Sequence, residues 1–289
     1  MPEFSPATYV EGGGGRYRAA LAHDWFVWGP MGGYVAAIAF RAMADASAQP
    51  RPASFACQFL RAGSAGPVEI EVEPVRSGRR SEALRATLLQ GGAPLLTASA
   101  WFVAEAFEGF EHSLGAMPAV PLPEALRPYH ELADDYAAWF PIWRHLEGRP
   151  VRWERAPGPA VWHTWMRLLS GAPEDPVLDA ARTLLWADLM PWNAAHAPHD
   201  WPQRFIAPNL DLTVQFHGRA AGEDWMLCDA ESPTARDGLV GTGGRLWTRK
   251  GRLVASATAQ LFCVANPRYT EELEERRRFD ALRAAESRG

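Results

Sequence analysis

The feature that most constrains this chain is that it writes one strand pattern twice. FACQFLRAGSAGPVEIEVEPV (55–75) is followed by a glycine turn and APLLTASAWF (93–102). LTVQFHGRAAGEDWMLCDAES (212–232) is followed by a glycine turn and GRLVASATAQLF (251–262). Gln58-Phe59 falls on Gln215-Phe216, and Thr97–Phe102 falls on Ala257–Phe262. Val68, Ile70 and Val72 alternate with Glu69, Glu71 and Glu73, as a strand with one wet face requires. Leu210, Leu212, Val214 and Phe216 alternate with Asp211, Thr213, Gln215 and His217 in the same way. The turns at 78–81, 90–93 and 249–252 suit antiparallel hairpins. A duplicated antiparallel sheet is the simplest structure with this pattern.

A helix precedes each copy. GGYVAAIAFRAM (32–43) has an apolar face of Val35, Ile38, Ala39 and Ala42, and its small residues let a sheet wrap closely. The second helix opens at Asp175-Pro176, an N-cap residue followed by proline at the first helical position. Its apolar stripe runs through Val177, Ala181, Leu184 and Leu185, and the same spacing reaches Asp188. Asp179, Arg182 and Thr183 fall on the other face. Asp188 is thus a carboxylate on a buried stripe, within LLWADLMPWN (184–193), where a charge needs a partner.

Composition excludes several classes. The 289 residues are 47% hydrophobic and 22% charged, with a net charge of −5. No basic stripe suggests nucleic acid, and no apolar run approaches the ~20 residues that cross a bilayer. The N-terminus lacks the basic and apolar regions of a signal peptide. Cys57, Cys228 and Cys263 are widely spaced and lie in strand-like stretches, as reduced thiols of a cytoplasmic protein would. Basic charge is nearly all arginine, Lys250 being the one lysine; with so much Ala, Gly and Pro this points to a GC-rich bacterial source. Gly12–Gly15 reads as a flexible linker, since no strand–helix phosphate loop follows. His196, His199 and Asp200 read as a surface loop rather than a metal site. No serine sits at a strand–turn–helix elbow.

Three stretches together resemble one family. Trp28-Gly29-Pro30-Met31-Gly32-Gly33-Tyr34 resembles the entry to the first central helix of the acyl-CoA thioesterase II-like family. Gln58-Phe59-Leu60-Arg61-Ala62-Gly63 resembles its FLRPG strand end. Ala187–Trp192, Pro208–His217 and Ala255–Phe262 resemble its second half. The likeness covers most of residues 15–265. It implies an α+β double hotdog, with two antiparallel sheets, each wrapped around a central helix, fused into one continuous sheet. The organisation expected is an N-terminal repeat (1–110), a Pro/Trp-rich connection (111–155), and a C-terminal repeat with a charged terminal helix (156–289).

The resemblance implies hydrolysis of an acyl-CoA by an Asp-held water, without covalent intermediate, metal or cofactor. Carried over position by position, the water-holding residues are Asp188, Asn209 and Gln260, with Asn209 standing where the family has Thr or Ser. An amide can also hold water, but it is not a hydroxyl. Aligning the copies sets Pro52 against Asn209 and Ala100 against Gln260, so one site per chain is expected. Gly32 and Gly33 would let substrate approach the first helix closely, and free N–H groups at a helix N-terminus, of that helix or of another segment, can supply oxyanion donors. Strand alternation sets Asn209 outward, with Asp211 and Thr213, and Gln260 inward, with Phe262 and Val264. Both reach one water only if Asn209 precedes its strand or lies at a bulge.

Among the tryptophan clusters, including Trp25, Trp28, Trp139, Trp143, Trp162, Trp165, Trp186, Trp192 and Trp201, most are expected in the core and some around the acyl group. Bulky walls suit short, branched or aromatic acyl groups. An alternative function is a non-catalytic acyl-CoA or acyl-carrier binding protein, with Asn209 marking a decayed site. A hotdog hydratase ranks last, since neither His163 nor His217 is spaced to pair with Asp188. Exposed outer sheet faces favour a homodimer, although one chain holds a complete pair of halves.

Overall fold

The computed structural model describes residues 3–105, 107–113, 115–132, 140–153, 157–220, 222–274 and 276–277. Trp139 and part of the charged C-terminal helix, residue 275 and residues 278–280, lie outside the described residues. In the first half the strands are β1 (Glu11–Gly13), β2 (Arg16–Leu21), β3 (Arg51–Phe59), β4 (Gly66–Ser77), β5 (Ser81–Gln90) and β6 (Ala93–Val103). The second half carries β7 (Leu146–Pro150), β8 (Val161–Leu168), β9 (Phe205–Ile206), β10 (Asp211–Phe216), β11 (Met226–Arg236), β12 (Leu239–Thr248), β13 (Leu253–Phe262) and β14 (Val264–Ala265).

Twelve of these strands form one sheet in the order β1-β2-β4-β5-β6-β3-β10-β13-β12-β11-β8-β7. The order reads outward from β3/β10 in the same sense on both sides, so the duplication seen in sequence is a duplication in space. The halves join where β3 and β10 pair antiparallel, Cys57 opposite Leu212 and Phe55 opposite Val214. Each half wraps one central helix, Gly32–Ala46 or Pro176–His196, and the two helices pack on each other. This is the double hotdog with a continuous sheet.

Local rules account for most of this. Val68, Ile70 and Val72 are buried while the glutamates between them are exposed. Asp175 caps the second helix, its Oδ1 accepting the Leu178 N–H at 2.8 Å. The first helix has no such cap: Met31 precedes it and contributes no side-chain bond.

Two expectations need correction. Gly12–Gly15 is no linker; it closes the β1–β2 hairpin, with Gly14 and Gly15 at φ +60° and +82°, values glycine adopts without strain. Asp179, Arg182 and Thr183 do not face solvent: all three are buried. Arg182 donates to Asp179 at 2.6 Å and to the Glu223 carbonyl at 2.9 Å, and Asp179 accepts the Ala220 N–H at 2.7 Å. The second helix is enclosed, with Ala220 and Glu223 clamped over its polar face by that pair. Breaking one member of a buried ion pair typically costs about 3–5 kcal/mol.

The outer face of the second half is covered by the connection. Trp165, Trp225, Leu227 and Trp247 form a second apolar cluster there, with Met117, Val120 and Leu126 laid over it. The Trp165 indole N–H donates to the Pro121 carbonyl at 2.9 Å.

Candidate active site

Asp188 lies three turns into the second helix, where that helix crosses the start of the first. The crossing is close because Gly33 has no side chain. A Cβ there would sit 2.8 Å from the Leu184 carbonyl oxygen and 2.9 Å from the Leu185 Cα. A Cβ on Gly32 would sit 2.8 Å from Asp188 Oδ1. The two glycines, expected to admit substrate, thus first admit the other helix and its carboxylate. Gly32 also lines the cavity described below, whereas Gly33 is buried behind it.

The uncapped first helix supplies what Asp188 needs. Its leading N–H groups have no intrahelical acceptor, and the Gly33 N–H donates to Asp188 Oδ2 at 2.7 Å. A carboxylate from one half thereby caps the helix of the other, where the helix dipole favours negative charge. The Gly32 N–H has no acceptor among the described residues.

Asn209 supplies the second donor. Its Nδ2 donates to Asp188 Oδ1 at 2.6 Å and to the Asp188 backbone carbonyl at 3.3 Å. It points inward because β10 is bulged at its entry. Thr213 pairs with Thr258, yet Asn209 bridges Leu261, so four steps on one strand answer three on the other. One extra residue flips the side chains beyond it to the opposite face. Leu210 is accordingly 37% exposed, while Leu212 and Val214 stay buried. The bulge leaves the Gln260 N–H without a ladder partner, and Asp211 Oδ1 accepts it at 3.0 Å.

The same strand geometry turns Gln260 the other way from the inward orientation expected. Ala255, Ala257, Ala259 and Leu261 of β13 are buried, and Gln260 shares the more open face with Ser256 and Thr258. Its Nε2 donates to the Leu261 carbonyl at 3.4 Å, and its side chain makes no hydrogen bond to Asp188 or Asn209. Its backbone does bear on the site: the Gln260 carbonyl accepts the Leu210 N–H at 2.7 Å, fixing the bulge that aims Asn209. The structure therefore brings together Asp188, Asn209, Gly32 and Gly33, and leaves the Gln260 amide apart.

Asp188 and Asn209 sit on the wall of a cavity of about 500 Å³. Its apolar walls include Val35, Phe59, Leu95, Ile206, Ala207 and Phe262. Trp28 and Trp192 also line it, ring centroids 5.7 Å apart and edge to face. Trp25, Trp165 and Trp186 are core residues. Burial pushes the Asp188 carboxyl up to about 6, against the two donors that favour its charged form. Trp192 was legible as a wall residue: it lies one turn beyond Asp188 on the same stripe. Among the described residues Asp188 makes no ion pair with Arg204 or any other arginine. His196 ends the helix, its ring 5.2 Å from that of Trp192, and the described residues hold no group of side chains placed to bind a metal.

The fold is a double hotdog with a carboxylate held on an apolar cavity wall, beside a helix N-terminus. Residues 21–103 match the acyl-CoA thioesterase N-terminal domain, and residues 118–263 match the acyl-CoA thioesterase C-terminal domain. The chain belongs to the acyl-CoA thioesterase family. It is 25% identical to acyl-coenzyme A thioesterase 8 of Homo sapiens over 241 residues, 75% of either chain. Among solved structures it resembles the acyl-CoA thioesterase II TesB2 of Mycobacterium marinum, with TM-score 0.76, 25% identity, and coverage of 92% of this chain and 100% of that one. A hot dog fold protein from Alicyclobacillus acidocaldarius shares the fold, with TM-score 0.79, 22% identity, and coverage of 91% and 98%.

Proposed function

We propose that the protein hydrolyses an acyl-CoA to free acid and CoA through a water held by Asp188 and Asn209. The observation that carries this reading is the Asp188 carboxyl itself. It is held by two donors on a cavity wall and pushed up to about 6. Such a group is ionised at neutral pH yet basic enough to take a proton from water, a contribution of about 10²–10⁴ in rate.

Water attacks the thioester carbonyl as one of its protons passes to Asp188. The Gly32 N–H, free at the helix N-terminus, lies on the cavity wall to receive the developing oxyanion. Collapse of the tetrahedral adduct breaks the C–S bond, and the proton on Asp188 goes to the departing thiolate. Asn209 spends its N–H on Asp188, and its Oδ1 remains to accept from the water. Gln260 acts through its backbone, as a positioning residue for Asn209.

The duplicated half supports one site per chain. Pro52 aligns with Asn209 and has no amide side chain. Pro176 opens the second helix without an N–H to offer, and Asp175 already caps that helix. Pro52 and Pro176 line a cavity of about 120 Å³, and the cavity of about 350 Å³ that Pro176 also lines has no carboxylate among the described residues of its wall. With Cys57, Cys228 and Cys263 all free thiols, we read the setting as cytoplasmic.

A single turnover in ¹⁸O-labelled water tests the route. Label should appear in the acid released by the first turnover. Label retained in Asp188, with unlabelled acid released first, would instead identify the carboxylate as the nucleophile.

A further inference from the structure

Beyond the cavity that holds Asp188 lies a second one, of about 510 Å³. Trp192 and Ala207 line both. Elsewhere, neighbouring residues line different cavities. Ile206 faces the first cavity and its neighbour Phe205 the second; Phe262 faces the first and Cys263 the second. Near the partition the second cavity is walled by Ala195, Val240 and Cys263, with Ala195 and Val240 buried. Its charged groups Arg204, Arg236, Asp200 and Asp237 are exposed.

The first cavity is asymmetric in a way that orients a thioester. Leu60 and Arg61 make an exposed part of its wall, and Arg61 has no ion-pair partner among the described residues. On the hydrolase reading above, that exposed cation suits the phosphates of CoA. With the carbonyl placed by that reading at Asp188 and the Gly32 N–H, the acyl group runs toward Trp192, Ile206 and Phe262, which are apolar and only partly exposed.

Resting on the hydrolase reading above, we infer that the Trp192 indole is the end wall of the acyl channel and sets the acyl-chain length the enzyme accepts. Trp192 stands one helical turn from Asp188, against Trp28 on one side and the His196 ring on the other. Of the two residues common to both cavities, it alone has a side chain large enough to close the passage. Removing the indole joins the cavities.

The test is a series of straight-chain acyl-CoAs from butanoyl to hexadecanoyl, with kcat/KM read from release of free CoA thiol. The wild-type enzyme should favour the shorter chains. Trp192→Ala should raise the ratio of long-chain to short-chain kcat/KM by about tenfold or more, as a pocket that gains several methylene sites would. Trp192→Phe should keep the wild-type ratio. Adding Ala195→Phe to Trp192→Ala refills the second cavity beyond the wall and should restore the ratio, which general loosening of the fold would not do. If Trp192→Ala is insoluble, Trp192→Leu takes its place. A folded, active Trp192 variant with an unchanged chain-length profile overturns the inference, as does a double variant that keeps long-chain activity. Failure of the hydrolase reading would look different: Asp188→Asn would retain turnover at every chain length.

Discussion

Replacing Asp188 with asparagine should make the protein more stable at neutral pH while removing its activity. The displacement of the carboxyl from 3.8 to about 6 is about two pH units at about 1.4 kcal/mol each, so ionising Asp188 costs about 3 kcal/mol more in the fold than in the unfolded chain. Solvent reaching the cavity wall reduces this to about 2 kcal/mol. The folded-state pKa is raised, so the folded chain binds the proton more tightly. The group's stabilisation is complete below about pH 4 and is lost as pH rises through about 6. Asparagine keeps the shape without the charge, its Oδ1 still accepting the Gly33 N–H. Its Nδ2 meets Asn209, which must turn its own oxygen toward it. Asp188→Asn should therefore be about 1–2 kcal/mol more stable than wild type at pH 8, with the gap closing at pH 4. For a chain of this size that is a rise of about 2–4 °C in Tm, measurable by thermal unfolding across the pH range. A gap independent of pH, or a variant less stable at pH 8, would refute the reasoning.

Three further outcomes follow from the same geometry. For Asn209→Ala, kcat should fall by about 10²-fold. The midpoint of the kcat/KM–pH profile, near 6 in wild type, should also move upward, because a donor favouring the charged carboxylate is lost. Gly33→Ala should destabilise the protein by about 1–3 kcal/mol, seen as a lower urea midpoint, because its Cβ would press on the second helix's backbone. Gln260→Ala should cost far less in kcat/KM than Asp188→Ala, since its side chain reaches neither Asp188 nor Asn209; equal losses in the two variants would place its amide in the chemistry.

Much of the fold was legible because it rests on short-range rules. Alternation of Val and Glu in β4 and the Asp175-Pro176 cap are local statements, and each holds in the structure. The placement of Asp188 was legible too, since helical spacing from Leu184 and Leu185 carries it onto the buried stripe. Asp179, Arg182 and Thr183 were misread because a helix wheel assumes a wet side. Ala220 and Glu223, some forty residues downstream, close over that side and satisfy its polar groups.

Asn209 and Gln260 show the limit most clearly. Strand alternation assigns each the wrong face, because period 2 holds only while the ladder is unbroken. A single extra residue between Asn209 and Thr213 reverses the phase; Pro208 marks a strand entry there, but only the pairing shows the extra residue. The role of Gly33 was hidden likewise: a glycine at a helix start can admit a ligand or another helix, and only the crossing decides.

The sequence by itself determined that the chain is two like halves, each a sheet around a helix, with a carboxylate on the buried stripe of the second. Those are consequences of periodicity and of side-chain size, which act between neighbours in the chain. Only the tertiary structure decided that the carboxylate caps the other half's helix, that Asn209 is its second donor, and that Trp192 divides two cavities. Each depends on residues far apart in sequence meeting at one crossing, where packing rather than local propensity fixes which groups touch.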